Sequence, residues 1–341
     1  MKHDFPGVSR QKLCALFGKS RRAIYDYQQR LQTERFDEDI VLQLVMQIRK
    51  QLPRLGTRKL HYQLQPLLQE HDLYIGRDEL FELLSAHRLL IRQRKRKVIT
   101  TDSRHWMRRY ANLARSLNIT GPEQLWVSDI TYIRLQHRWG YLSLITDAYS
   151  RRIMGYCFRT DMSADGCVQA LQMALNARQY PHQQLIHHSD RGSQYCSSVY
   201  TDLLNHHRIA ISMTENGDPY ENALAERMNG IIKSEFNLYE SQQSFEDTHE
   251  KISACIEVYN TIRPHSSCNL LTPQQAHQQS GTLVHKWKSY PKKYAYASIN
   301  NETKLPAPAV CSKREAGTAL SKERGPACLL TGLSVNPIFE K

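Results

Sequence analysis

The chain has 341 residues, 40% of them hydrophobic, long enough for two domains or a small domain beside a large one and apolar enough to bury a core. It has no run of 18 apolar residues, and its start, MKHDFPGVSRQKL, lacks the apolar stretch of a secretory signal, so a cytoplasmic protein is expected; eight cysteines scattered without a Cys-x-x-Cys pair exclude a disulfide framework or zinc ribbon as expectations. The formal net charge of +13 sits almost wholly early, with 24 Lys and Arg against 12 Asp and Glu in residues 1–120, and 22 against 21 in the remainder.

A basic first third joined to a near-neutral remainder suits a nucleic-acid-binding module ahead of another domain, because phosphate neutralisation is the main sequence-independent source of affinity for DNA. A merely soluble basic surface is the plainer reading of the same charge. The segment VSRQKLCALFGKSRRAIYDYQQR (8–30) reads as two short amphipathic helices around a turn at Gly18, with Ser20 as N-cap of the second. Cys14, Gly18 and Ile24 fall at helix-turn-helix spacing, which places Arg21 and Arg22 at the opening of a recognition helix; an αα-hairpin with no DNA contact fits the same pattern. This segment is expected to be a helix-turn-helix domain over residues 1–35.

Apolar residues at helical spacing follow in 37–52, 56–68 and 77–90, with Arg58 and Lys59 as candidate DNA contacts at the start of the second of these. The run IRQRKRKVITT (91–101) carries five Lys and Arg within seven residues, either a solvated linker or a stretch that tracks a DNA backbone. Residues 36–100 are therefore expected to form a second helical DNA-binding domain with a basic linker.

From about residue 121 the period changes. The stretches 125–133, 140–149 and 151–160 are β-branched and aromatic with tight connections, as in an antiparallel meander. A helix over 163–178, a strand over 183–189, a helix over 193–207, a strand over 209–213 and a helix over 221–236 complete the order βββαβαβα. That order is an α/β ribonuclease-H-like one, with a mixed sheet covered on both faces, expected over residues 118–280. A further helix covers 244–264, ended by Pro264. Residues 281–341 lose periodicity and are expected to be a partly disordered tail.

Three carboxylates stand out within this pattern. Asp129 lies mid-strand between Val127 and Ile130, where an aspartate is costly unless it meets a partner or a metal. Asp190 follows the apolar strand LIHH and precedes Arg191 and Gly192, at the carboxyl end of a strand where α/β folds place ligands, although an Asp that only starts a turn would look the same. Glu226 sits inside a helix with Asn222 at i−4 and Lys233 at i+7, on one face that could equally be solvated. Carboxylates converging from different elements are what two-metal phosphoryl transfer requires.

The stretches WVSDITYI, HHSDRGSQY, ENALAERMNGIIKSEF and YNTIRPHSSCNLLTPQQA, in this order, closely resemble the motifs of integrase-core transposases of the insertion-sequence family conventionally numbered three, relatives of retroviral integrases. The resemblance covers roughly residues 8–278. It implies a DDE transposase in which Asp129, Asp190 and Glu226 are catalytic and ligate two Mg²⁺ or Mn²⁺ ions, and in which Lys233 contacts DNA at the element's end. It also implies hydrolysis and strand transfer, terminal inverted repeats and target DNA as partners, a homo-oligomer on DNA, and an upstream-frame helix-turn-helix protein as a further partner. Asp147 to Arg151 matches the family too, where a structural turn is favoured. The sequence departs from the pattern at Glu221, where an aspartate is usual, and residues 1–60 hold only His3 and Cys14 as zinc ligands, so no zinc is expected. Two rival readings are a ribonuclease-H-like nuclease that cuts without joining and a DNA-binding repressor of transposition with an inactive core.

Overall fold

A computed structural model describes residues 7, 9–92, 107–215, 222–242 and 244–284. The basic run at 91–101, apart from its first two residues, and the tail beyond residue 284 lie outside the described residues. Among the described residues no helix is long and apolar enough to cross a membrane.

Helix α1 (Arg10–Leu16) turns at Gly18, φ +60°, into α2 (Arg21–Gln51). Gly18 is there because L side chains strain at that φ, and Ser20 caps α2 by accepting from Ala23 N at 3.1 Å. The separate helices expected before and after residue 35 are one: α2 runs unbroken for 31 residues, since no Gly or Pro interrupts 21–51 and the first breaker after them is Pro53. Helices α3 (Thr57–Glu70) and α4 (Arg77–Ala86) follow. In α3 the buried residues Leu60, Leu64 and Leu68 recur every fourth position and so form one apolar stripe.

Strands β1 (Leu125–Arg134), β2 (Trp139–Asp147) and β3 (Ile153–Arg159) form the expected meander. Helix α5 (Ala164–Asn176) crosses back, and β4 (Ile186–Ser189) pairs parallel to β1. The short α6 (Ser193–Cys196) and α7 (Ser198–His206) lead to β5 (Ala210–Met213), parallel to β4. The single helix expected over 193–207 is split because Ser197 is extended, φ −64° and ψ 145°. Strand order is β3-β2-β1-β4-β5, which puts β1 in the centre of a mixed sheet. Helices α8 (Ala223–Glu235) and α9 (Phe245–Thr261), a 3-10 turn at Ser266–Cys268 and a short α10 (Pro273–Ala276) complete the described chain; the last two elements had no counterpart in the sequence pattern. This is the α/β ribonuclease-H-like arrangement expected.

Strand alternation sends the two sets of side chains to different layers. Trp126 and Ile145 pack with Ala170, Leu171 and Tyr200 on one face, under α5 and α7. Ile133 and Leu142 pack with Met228, Ile232 and Tyr259 on the other, under α8 and α9, and Leu52, Leu55 and Leu60 of the helical segment join that same cluster. The tightest approach is between β3 and α5. A Cβ on Gly155 would stand 2.1 Å from Ala170 O and 2.7 Å from Ala174 N, so only glycine lets the helix lie this close.

The turn after β2 is a structural one. Asp147 is fully buried and accepts from Glu123 N at 3.2 Å, Arg151 closes the turn at φ +67°, and Ser150 Oγ lies 2.9 Å from His277 Nδ1. Glu123, also fully buried, takes Arg178 Nε at 3.1 Å and Gln179 N at 2.6 Å and meets His277 Nε2 at 3.3 Å. This cluster fastens the segment after α9 to the start of β1.

Candidate active site

Asp129 is placed by the middle of β1 on the face that α8 covers. Asn229 of α8 donates from Nδ2 to its Oδ2 at 2.8 Å, and the backbone N of Ile130 donates to Oδ1 at 2.9 Å. Asn222, the residue before α8, donates from Nδ2 to Ser128 O at 3.1 Å, which pins the N-terminal end of the helix onto the same strand. Even with these donors the Asp129 carboxyl is pushed up to about 7, first by burial and then by the negative charge of Asp190, with a smaller push from Glu226. A partly buried carboxylate beside two like charges is favoured by a cation close by.

Asp190 stands where β4 ends. Its Oδ1 accepts from Gly192 N at 3.0 Å in the turn that opens α6, and a Cβ on Gly192 would crowd that same oxygen at 3.0 Å. The two histidines before it belong to the core: His187 Nε2 lies 2.8 Å from Tyr200 Oη, His188 Nδ1 lies 2.8 Å from Ser212 Oγ, and burial drives the His187 imidazole down to about 3. Glu226 lies in the first turn of α8, exposed at the surface, where a carboxylate is favoured by the helix dipole.

The structure therefore brings Asp129 and Asp190 into one electrostatic neighbourhood, with Glu226 at its rim. Among the described residues no three His, Cys, Asp or Glu side chains stand together as a ready metal cage. The donor set is nonetheless of the hard oxygen kind that Mg²⁺ and Mn²⁺ prefer, and Asp129 stays raised by burial and by Asp190 although Lys233 lies near it. On those grounds Asp129 and Asp190 offer the oxygen ligands a divalent cation takes, with Glu226 at the rim.

Lys233 lies on the Asp129 side of α8. Its Nζ donates to Thr131 Oγ1 at 3.1 Å, sits 5.0 Å from the centre of the Tyr239 ring, and is lowered by burial against the pull of Asp129. Arg21 and Arg22 take the first two positions of α2, and Arg22 and Arg58 are exposed. Lys59 departs from its expected place on DNA. Its Nζ is 2.9 Å from Glu235 Oε1, and Glu235 also receives two nitrogens of Arg263, at 2.6 and 2.7 Å, so Lys59 is spent inside the protein holding α3 to the end of α8. Asn229 is the site residue the sequence did not single out, although it follows Glu226 by three positions and so shares its side of the helix.

The integrase core domain family matches residues 119–219, and a second integrase core domain model matches residues 207–273. The chain is 35% identical over 268 residues to the uncharacterised 31 kDa protein of insertion element IS600 from Shigella sonnei, spanning 76% of this chain and 96% of that one. It is 37% identical over 169 residues to the transposase InsF of insertion sequence IS3fB from Escherichia coli K12, an alignment that takes in 49% of this chain and 58% of InsF. Among solved structures, the catalytic core of HTLV-2 integrase, in a trimeric form with magnesium, aligns with 46% of this chain and 97% of its own length at 19% identity and a TM-score of 0.38.

Proposed function

Because the chain belongs to the IS3 family of insertion-sequence transposases, enzymes of the polynucleotidyl transferase type, we propose that it is a DDE transposase with Asp129, Asp190 and Glu226 as its catalytic carboxylates. It hydrolyses a phosphodiester at the element's end, freeing a 3′-hydroxyl, and that hydroxyl then attacks a target strand by transesterification. Each step exchanges one phosphorus–oxygen bond for another, so no covalent protein–DNA intermediate is needed. The observation that carries this reading is Asp129: a partly buried strand carboxylate, raised to about 7, within the field of two further carboxylates from different elements.

Asp129, Asp190 and Glu226 would hold two Mg²⁺ or Mn²⁺ ions, which when bound activate the attacking oxygen and stabilise the leaving one. The protein's own contributions are positional. Asn229 orients the Asp129 carboxylate, Asn222 seats the start of α8 on β1, and the Gly192 amide fixes Asp190. Lys233, beside Asp129, is placed to meet a phosphate of the bound end. Residues 1–35 and 36–100 are assigned the recognition of the terminal inverted repeats, with Arg21, Arg22 and Arg58 on the DNA and Lys59 withdrawn into the Glu235 pair. The enzyme acts as a homo-oligomer bridging two ends.

The test is cleavage of a labelled duplex carrying the element's end by the full chain. Nicking that needs Mg²⁺ or Mn²⁺ and disappears in Asp190→Asn, with duplex binding retained, is the expected result. Binding without cleavage under either metal would replace this reading with that of a repressor.

A further inference from the structure

The β1–β2 hairpin reaches past the N-terminus of α5, and the sheet face left uncovered there is aromatic. Tyr132 and Tyr141 are cross-strand partners with ring centres 5.3 Å apart, and Trp139, diagonal to Tyr132, meets it edge-to-face at 6.4 Å. Trp139 is 50% exposed and Met162, which accepts from the Tyr132 hydroxyl at 3.4 Å, is 45% exposed. A tryptophan half in water on a strand is a cost that packing inside the chain does not explain.

The rim is cationic. Arg134 pairs with Trp139 across the strands and Arg159 pairs with Tyr141, so by alternation both belong to this face, and Arg138 is exposed in the hairpin turn. Arg159 is held by Asp161 at 2.8 Å, with its stem against Gly166 of α5. Gly140 makes the arrangement possible. On the opposite face its missing Cβ leaves room for the Phe158 ring, which would otherwise lie at 2.3 Å, and the strand can then present Trp139 and Tyr141 on either side of it.

The patch lies on the face of β1 opposite Asp129 and is linked to the candidate active site through α6. Gln194 in α6, four residues after Asp190, donates to Met162 O at 3.0 Å. The Tyr132 hydroxyl is raised by burial, by Tyr141, and then by the charges of Asp129 and Asp190, which places it within their field.

We propose that Tyr132, Trp139 and Tyr141 form a stacking platform for unpaired bases of the DNA strand beside the scissile phosphate, with Arg134 and Arg138 on its backbone. A half-exposed tryptophan flanked by partly buried tyrosines and by arginines suits single-stranded nucleic acid, whose bases offer π-faces and whose phosphates offer charge. A strand that must reach carboxylates at the bottom of a site is more easily presented frayed than paired, and a platform that captures frayed bases holds it open. The inference rests on the reading of the protein as an enzyme of DNA ends.

The experiment uses the full chain and two short duplexes of arbitrary sequence, one fully paired and one with an unpaired single-strand tail containing 2-aminopurine. Wild-type protein is expected to quench the 2-aminopurine and to prefer the tailed duplex. Trp139→Ala is expected to abolish the quench and lower tailed-duplex affinity about tenfold, the order of one stacked base, while leaving the affinity for the paired duplex unchanged. Trp139→Phe should restore both. A tail that stays bright on a protein that cuts and joins paired DNA overturns the platform alone. Failure to bind either duplex overturns it together with the reading it rests on. If Trp139→Ala changes only the oligomeric state, with the quench intact, the face belongs to a second copy of the chain and the proposal is wrong.

Discussion

In the proposed reaction, Asp129 and its partner Asn229 are where the chemistry would be most sensitive to a single side chain. The 2.8 Å bond from Asn229 Nδ2 would fix which lone pairs of the carboxylate remain for a metal. Groups that orient a ligand in this way are typically worth about 10- to 100-fold in activity or metal affinity. Asn229→Ala is therefore expected to lower metal-dependent cleavage by at least about tenfold while changing thermal unfolding little, which parallel cleavage assays and melting curves would measure. Equal losses in both would mean that Asn229 only supports the helix. Asp129 itself was legible in the sequence because aspartate is out of place among Val127, Ile130 and Ile133. Asn229 was not, since a buried asparagine on a helix gives no signal until its partner on another element is known.

At the level of elements, the pair most open to test is α3 against α8. Glu235 is pushed up by burial, but Arg263 and then Lys59 outweigh that and hold its carboxyl at about 2. Lys59 is pulled the other way: burial and Arg263 lower it to about 8 in spite of Glu235. The two shifts assign opposite signs to the Lys59–Glu235 pair. The bidentate Arg263 pair settles the sign for Glu235, whereas Lys59 gains less from its carboxylate partner than its burial costs. Glu235→Gln, which leaves two buried cations without a carboxylate, is expected to cost about 3–5 kcal/mol, and Lys59→Met under about 1.5 kcal/mol. Urea denaturation of the two variants would check the order, and a larger loss for Lys59→Met would contradict it. Because the folded Glu235 lies below its ordinary value, its contribution is present above about pH 4.5 and is lost as pH falls toward 2, on the order of 3 kcal/mol. Glu235→Gln should flatten that acid limb.

The close packing of β3 on α5 makes a second prediction at this scale. Gly155→Ala puts a methyl group into the backbone of α5 and is expected to destabilise the core by about 3 kcal/mol or more, seen as a lowered melting temperature. The strands and helices around it were legible because strands such as LWVSDITYI are β-branched and aromatic and helices such as ADGCVQALQMALN keep a period of 3.6. The continuity of α2 was missed because a change in apolar pattern near residue 36 looks like a boundary, although only a breaker residue would make one. The clasp of Glu123, Ser150 and His277 was invisible, as its members lie up to 154 positions apart.

For the whole molecule, the proposed function assigns the charge excess of the first third to DNA and the sheet to chemistry. Binding to the element's end should therefore fall steeply with salt, roughly in proportion to the number of phosphates engaged, and Arg22→Ala with Arg58→Ala should lessen that slope by about one for each phosphate left without its arginine. An unchanged slope in the double variant would move the interface elsewhere. The Lys59–Glu235 pair ties the helical segment to the helix that carries Glu226, so in the proposed function recognition and catalysis would share one framework.

The measurement that bears most directly on the central claim is strand transfer by the purified full chain, with a labelled duplex carrying the element's end, a target plasmid and Mg²⁺ or Mn²⁺, and with Asp129→Asn run alongside. The expected result is a joined product that requires the metal and is absent with Asp129→Asn. Joining that persists in Asp129→Asn would remove that residue from the chemistry, and cleavage without any joined product would make the protein a nuclease rather than a transposase.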